Sequence, residues 1–152
     1  MDIRITYEDP AQTEIVRLLE DGEAYGAALY PAESNHFLAL EALRGPAVLF
    51  AVARDKDGVA VGTGALALNG DWAELKRLWV VLAARGRGIS KVLLSDLESR
   101  ARGAGVQTLR LETGVHNHES LALYKRAGFQ QCEPFADYKP DPFSVFMQKE
   151  LV

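Results

Sequence analysis

Arg85-Gly86-Arg87-Gly88-Ile89-Ser90 joins an apolar run, Leu78 to Leu82, to a stretch whose apolar residues Ile89, Val92, Leu93, Leu97 and Ala101 share one helical face. The order reads as strand, glycine turn, helix. At such a junction the first backbone N–H groups of the helix have no intrahelical partner, and the helix dipole adds partial positive charge, so the turn suits a phosphate. Glycine lets the anion approach the backbone closely, and Arg85 and Arg87 bring full charges to the rim. A plain strand-to-helix turn with solvated arginines is the other reading of these six residues, and they do not decide between the two.

A second segment, Asn117-His118-Glu119-Ser120-Leu121-Ala122-Leu123-Tyr124-Lys125-Arg126-Ala127-Gly128-Phe129, tips the balance. Asn117 is a good N-cap, Ser120, Leu123, Tyr124 and Ala127 follow at helical spacing, and Gly128 stands where a C′ glycine ends a helix. One short helix thus carries Asn117, Ser120 and Tyr124 along a face. Arg-x-x-Gly-x-small opening one helix, followed by Asn-x-x-Ser-x-x-Leu-Tyr-x-x-x-Gly-Phe, resembles the GNAT (Gcn5-related N-acetyltransferase) superfamily. The resemblance runs from about Val59 to Val152 and weakens before that.

Composition bounds the class of chain. The 152 residues are enough for one buried core and too few for two ordinary domains, so 1–152 is expected to be one domain. With 48% hydrophobic and 25% charged residues the chain is ordinary globular material. A formal net charge of −4 disfavours a nucleic-acid surface, and no apolar run reaches membrane-spanning length. Met1-Asp2-Ile3-Arg4 lacks a signal-peptide apolar region, and a cytoplasmic location is expected. The single Cys132 reads as a small packed residue, and His116-x-His118 has no further ligand at metal spacing.

Along the chain, 2–7 alternates as a first strand, and a helix is expected from Asp9-Pro10 on Ile15, Leu18, Leu19 and Tyr25, with Gly22, Gly26 and Pro31 weakening or ending it. A second short helix is expected over Ser34 to Leu43. Strands follow at Val48 to Arg54, Val59 to Leu68 and Trp72 to Leu82, with Asn69-Gly70 the strongest hairpin cue. After the glycine-loop helix, Val106 to Glu112 reads as a strand buried on both sides, and Phe129 to Cys132 and Phe143 to Leu151 close the sheet. The fold class is mixed α/β (α+β). The resemblance implies the GNAT-like acyl-CoA N-acyltransferase fold, a mostly antiparallel sheet flanked by helices.

The resemblance further implies acetyl-CoA as donor. Its pyrophosphate would rest on the loop Arg85, Gly86, Arg87, Gly88, Ile89 and Ser90, where Ser90 replaces the usual Gly or Ala, and its pantetheine arm would lie along Trp79 to Leu82, including Val80 and Leu82. Asn117 reads either as a cap that also contacts the arm or as a cap alone, and a backbone N–H near Val80 would hold the oxyanion. Transfer needs a deprotonated amine and a proton for the departing thiolate. The resemblance assigns these to Glu74 as base and Tyr124 as acid. Glu74 also reads as a strand-end partner of Lys76, and Tyr124 as a packed core tyrosine. Glu33, His36, Asp137 and Tyr138 are candidates for the acceptor pocket, though Glu33-Ser34 also suits a helix start and 137–142 a turn. The string from Cys132 to Met147 resembles a subgroup of small bacterial acetyltransferases without a secure acceptor.

The expected partner is a small-molecule primary amine, on a small metabolite or an amino-acid-like compound, with no nucleic acid and no membrane. Protein lysine or N-terminal acetylation and a non-catalytic acyl-CoA-binding module are the alternatives; a homodimer is a further expectation.

Overall fold

A computed structural model describes residues 2–36 and 38–151. The chain runs β1 (Arg4–Tyr7), α1 (Thr13–Leu29), a 3-10 turn (Ala32–Ser34), α2 (Leu40–Leu43), β2 (Val48–Arg54), β3 (Ala60–Asn69) and β4 (Trp72–Val80). A second 3-10 turn (Leu82–Ala84), α3 (Ile89–Gly103), β5 (Thr108–Gly114), α4 (His118–Arg126), β6 (Gln130–Gln131) and β7 (Ser144–Glu150) complete it. The strands form one sheet in the order β1-β2-β3-β4-β5-β7-β6, antiparallel except for β4 beside β5. Gly58 and Gly70 make the hairpin turns in the left-handed region, at φ +81 and +71, which costs a residue with Cβ about 1 kcal/mol or more.

Period-2 alternation in β2 feeds two cores. Phe50 and Val52 pack with Ile15, Leu18 and Leu19 of α1 and Leu43 of α2, whereas Ala51 and Ala53 face Leu93 and Leu97 of α3. Glycines in β3 let α3 lie close on the sheet. A Cβ on Gly64 would stand 2.8 Å from Leu97 Cδ1, and one on Gly62 3.0 Å from Leu93 Cδ1.

The feature that shapes the site is a bulge in β4. Thr63 faces Trp79 while Ala65 faces Lys76, so β4 spends one extra residue there. Arg77 takes a positive φ of 59 within it, and the buried Thr63 hydroxyl donates to the Arg77 carbonyl at 2.8 Å. The Arg77 side chain reaches α1, donating to Glu23 at 3.0 Å and to the Leu19 carbonyl at 3.4 Å. Parallel pairing of β4 with β5 ends just before the bulge, at Leu75 beside Leu111. Beyond that point the two strands part.

Several expected boundaries move. The helix expected over Ser34 to Leu43 is instead two short turns, Ala32–Ser34 and Leu40–Leu43, with Phe37 between them outside the described residues. Ser34 donates to Asp141 and Asn35 to the Tyr30 and Pro31 carbonyls, hydrogen bonds that compete with a helical ladder. α1 starts at Thr13 rather than Asp9-Pro10, since the Asp9 carboxylate holds the Ala11 N–H in a local turn. It continues through Gly22 and the buried Gly26, and a Cβ on Gly22 would stand 3.5 Å from the Trp79 ring. β4 stops at Val80, and Leu82 lies exposed in the next turn. β5 begins at Thr108, because the Val106 N–H still bonds the Ala101 carbonyl of α3. It is not buried on both sides: Leu109, Leu111 and Thr113 are covered, while Arg110 and Glu112 are half-exposed.

Thr63→Val removes the bulge hydrogen bond and little volume. It is expected to lower stability by about 1–2 kcal/mol, read from the urea midpoint at constant m-value; an unchanged midpoint would show that the bulge stands without it.

Candidate active site

Where β4 and β5 part, a cleft of about 1220 Å³ opens, lined by the two strands, α1, the N-terminal part of α3 and the length of α4. Single small-ligand pockets run to about 1,000 Å³, so the space exceeds that of an ordinary small-molecule site. Past Leu75 the β5 side of β4 has no strand partner among the described residues.

At one end of the cleft lies the glycine turn. Gly86 and Gly88 sit at φ +81 and +77, and a Cβ on either would meet nothing within 4 Å, so the surface above them is open. Gly88 is the N-cap of α3 and no side chain caps the helix. Gly86, Gly88, Ile89 and Ser90 line the cleft, Ile89 being buried as the anchor of the first turn. Arg85 lines it too, but is not a loose rim charge. Its Nε donates to the Val80 carbonyl at 3.1 Å and its guanidinium lies 4.8 Å from the Trp79 ring. Val80 lines the cleft; Leu82 and Arg87 are exposed and form no part of its wall. Trp79, also in the wall, has a buried Nε1–H without a partner among the described residues.

At the other end the sequence candidates separate. Glu74 lines the cleft, and its Oε2 accepts from Tyr138 Oη at 2.5 Å and from Lys76 Nζ at 3.1 Å. Lys76 also donates to Tyr138 Oη at 2.8 Å, closing a triangle. Burial and the Glu74 carboxylate push the Tyr138 phenol far up. His36 lines the cleft with its ring edge-on to Tyr138 at 5.2 Å and its Nε2 4.0 Å from Asp141. Glu33 and Asp137 are exposed and outside the wall.

Tyr124 faces the cleft from α4, buried against Phe129 with ring centroids 5.6 Å apart. Its burial, with the Glu112 charge adding to it, drives the phenol pKa well up and keeps the proton on oxygen. Asn117 holds the N-cap position of α4, yet its side chain caps nothing. Its Oδ1 accepts from Tyr30 Oη at 2.9 Å and its Nδ2 donates to Thr113 at 3.3 Å. Tyr30 in turn accepts the His116 backbone N–H at 3.0 Å and stacks on the exposed His116 ring.

Two residues of the site escaped sequence reasoning. Tyr30 follows directly on the glycine-containing end of α1, and Gly114 makes room for it: a Cβ there would stand 1.9 Å from Tyr30 Oη. Glu112 was absorbed into an apolar strand. It lies one residue past the last β4–β5 pair, lines the cleft and accepts from Ser144 Oγ at 2.7 Å. Its carboxyl pKa is raised by burial, against the pull of Ser144, His36 and Lys76. The alternation Arg110, Glu112 after buried Leu109 and Leu111 was the available signal.

The acetyltransferase (GNAT) family model matches residues 5–129, reaching further toward the N-terminus than the two motifs do. A protein of Azospirillum brasilense named IAA acetyltransferase is 45% identical over 152 residues, covering 99% of each chain. A solved structure from Klebsiella pneumoniae, provisionally described as an acyl-CoA N-acyltransferase, is 36% identical with a TM-score of 0.84, covering 99% of this chain and 98% of its own. The paia N-acetyltransferase of Thermoplasma acidophilum, solved in complex with coenzyme A, shares the fold at a TM-score of 0.75 and 20% identity, covering 99% of both chains.

Gly114→Ala forces Tyr30 out of its seat and is expected to cost about 1–3 kcal/mol. In a Tyr30→Ala background the same substitution should cost much less; equal costs in a double-mutant cycle would show that the two residues are not coupled.

Proposed function

The chain belongs to the acetyltransferase (GNAT) family, and on that premise we propose that it transfers an acetyl group from acetyl-CoA to the primary amine of a small, amino-acid-like metabolite. The observation that carries this reading is the convergence on one cleft of an open glycine-capped helix end, an unpaired strand edge, a buried tyrosine and two carboxylates.

The residues suit the donor. The backbone amides of Gly88, Ile89 and Ser90 and the charge of Arg85 would take its phosphates, the free edge of β4 up to Val80 would take the amides of its arm, and the unpartnered Trp79 Nε1–H stands in the same wall. Bound there, acetyl-CoA supplies an acetyl group activated as a thioester. The chain has to do three things: hold the acceptor ammonium at the split, take its proton on a carboxylate, and deliver a proton from Tyr124 Oη. The burial that holds the Tyr124 proton in place also excludes water from its neighbourhood. Glu74 and Glu112 give the acceptor end a cation-favouring character, offset by Lys76.

Coenzyme A is expected to raise the melting temperature selectively over ATP, since a ligand at 100 times its Kd stabilises by about 2.7 kcal/mol. Gly88→Val should abolish that shift by straining φ and covering the amides; a preserved shift would move the phosphate site elsewhere. Tyr124→Phe is expected to keep the shift and to lower thiol release by about 10²-fold or more, with primary amines and IAA as acceptors. Equal turnover in the two proteins would remove Tyr124 from the chemistry, and turnover with IAA alone would replace the amine reading.

A further inference from the structure

We propose that Glu112, not Glu74, is the carboxylate that takes the proton from the acceptor amine, and that Glu74 is a positioning residue that fixes Lys76 and Tyr138. This rests on the amine reading above. The two carboxylates share a face of the sheet, but their surroundings differ. Glu74 lies inside the paired part of β4, opposite Arg110, and its Oε2 is taken by a phenol and an ammonium. A base so held has to break two charge-assisted bonds before it binds a proton. Glu112 lies one step beyond the last paired residue, at the apex of the split. Ser144 holds one of its oxygens and fixes the rotamer. The other has no hydrogen bond among the described residues.

The groups that face Glu112 come from every element around it: Glu74 and Lys76 from β4, His36 from the segment after the 3-10 turn, Ser144 from β7, and the phenols of Tyr30, Tyr124 and Tyr138. Burial outweighs the cations among them and makes the carboxyl more basic than a surface glutamate, which suits a proton acceptor. The charge on Glu112 is also one of the two causes that hold the Tyr124 proton tightly. Protonating Glu112 removes that charge, so uptake of the amine's proton makes Tyr124 a better acid.

The step balances as a proton transfer. One N–H bond of the ammonium breaks, its electron pair stays on nitrogen as the attacking lone pair, and an O–H bond forms on the Glu112 oxygen that Ser144 leaves open. Nitrogen gives up two protons in becoming a secondary amide. One reaches solvent through Glu112, and the other is accounted for by the thiol proton that Tyr124 supplies and then recovers.

The test compares Glu112→Gln, Glu74→Gln and Ser144→Ala with the wild type, using putrescine, L-lysine and tyramine as probe amines. Coenzyme A affinity, thiol release against pH, melting temperature and the Glu112 carboxyl titration by carbon NMR are read in each. E112Q is expected to keep coenzyme A affinity, to lose about 10²-fold or more in kcat/KM, and to lose the acidic limb of the pH profile. E74Q should lower the rate but keep that limb, and S144A, which removes a bond favouring the charged form, should move the limb to higher pH.

Stability gives an independent sign. Because folding raises the Glu112 pKa, the folded state binds the proton more tightly, and the residue's cost to stability grows as pH rises through the shifted value. E112Q should therefore melt no lower than wild type at neutral pH, with any gain vanishing in acid, while E74Q melts lower. Carbon NMR should place the Glu112 midpoint above the ordinary 4.5. An acidic limb lost in E74Q and kept in E112Q would overturn the proposal while leaving the amine reading intact. Coenzyme A binding with no thiol release from any of the three amines in wild type would overturn the amine reading itself.

Discussion

The architecture turns on one hydrogen bond and the bulge it holds. With Thr63 donating to the Arg77 carbonyl, β4 accommodates an extra residue immediately after its last pair with β5. A bulged strand bends and twists more than a regular one, so β4 leaves the plane that β5 continues in. The cleft follows from that divergence. The same residue ties the split to α1, since the Arg77 guanidinium binds Glu23 and the Leu19 carbonyl and thereby supports its positive φ. α1 carries Tyr30 at its end, and Tyr30 in turn seats on Gly114 and Asn117 across the cleft. A local irregularity thus sets the separation of the strands and the position of the wall facing them.

Inside the cleft, environment rather than residue type divides the labour. Glu74 and Glu112 are chemically alike and both partly buried, yet one is bonded to Lys76 and Tyr138 and the other keeps an oxygen without a hydrogen bond among the described residues. The triangle of Glu74, Lys76 and Tyr138 also links β4 to the loop before β7, so its loss would be felt as disorder of the acceptor wall. Tyr124 lies across from Glu112 in a setting that raises both groups, and the protonation state of either alters the other.

The parts of this arrangement that depend on local chemistry were legible in the sequence. Asn69-Gly70 fixes a hairpin, and β2 runs over the expected residues, because turn geometry sets register directly. The glycine turn before α3 and the helix ending at Gly128 were likewise readable from caps alone. What escaped depends on distant partners. Ser34 leaves the expected second helix by bonding Asp141, which lies 107 positions along the chain, while Asn35 turns back to the nearby Tyr30 and Pro31 carbonyls. Leu82 completes an apolar run in sequence, yet the strand ends two residues earlier, where the Val81 N–H makes the last bond, to Val61. Glu112 was hidden by its apolar neighbours, and its meaning comes only from the point at which β4 turns away.

The most direct test of the account is a crystal structure with coenzyme A bound. The predicted result has the pyrophosphate on the amides of 88–90, the arm along β4 beyond Leu75, and the sulfur in the split beside Tyr124 Oη with Glu112 on the acceptor side. Coenzyme A bound outside the split, or a sulfur remote from both Tyr124 and Glu112, would contradict it.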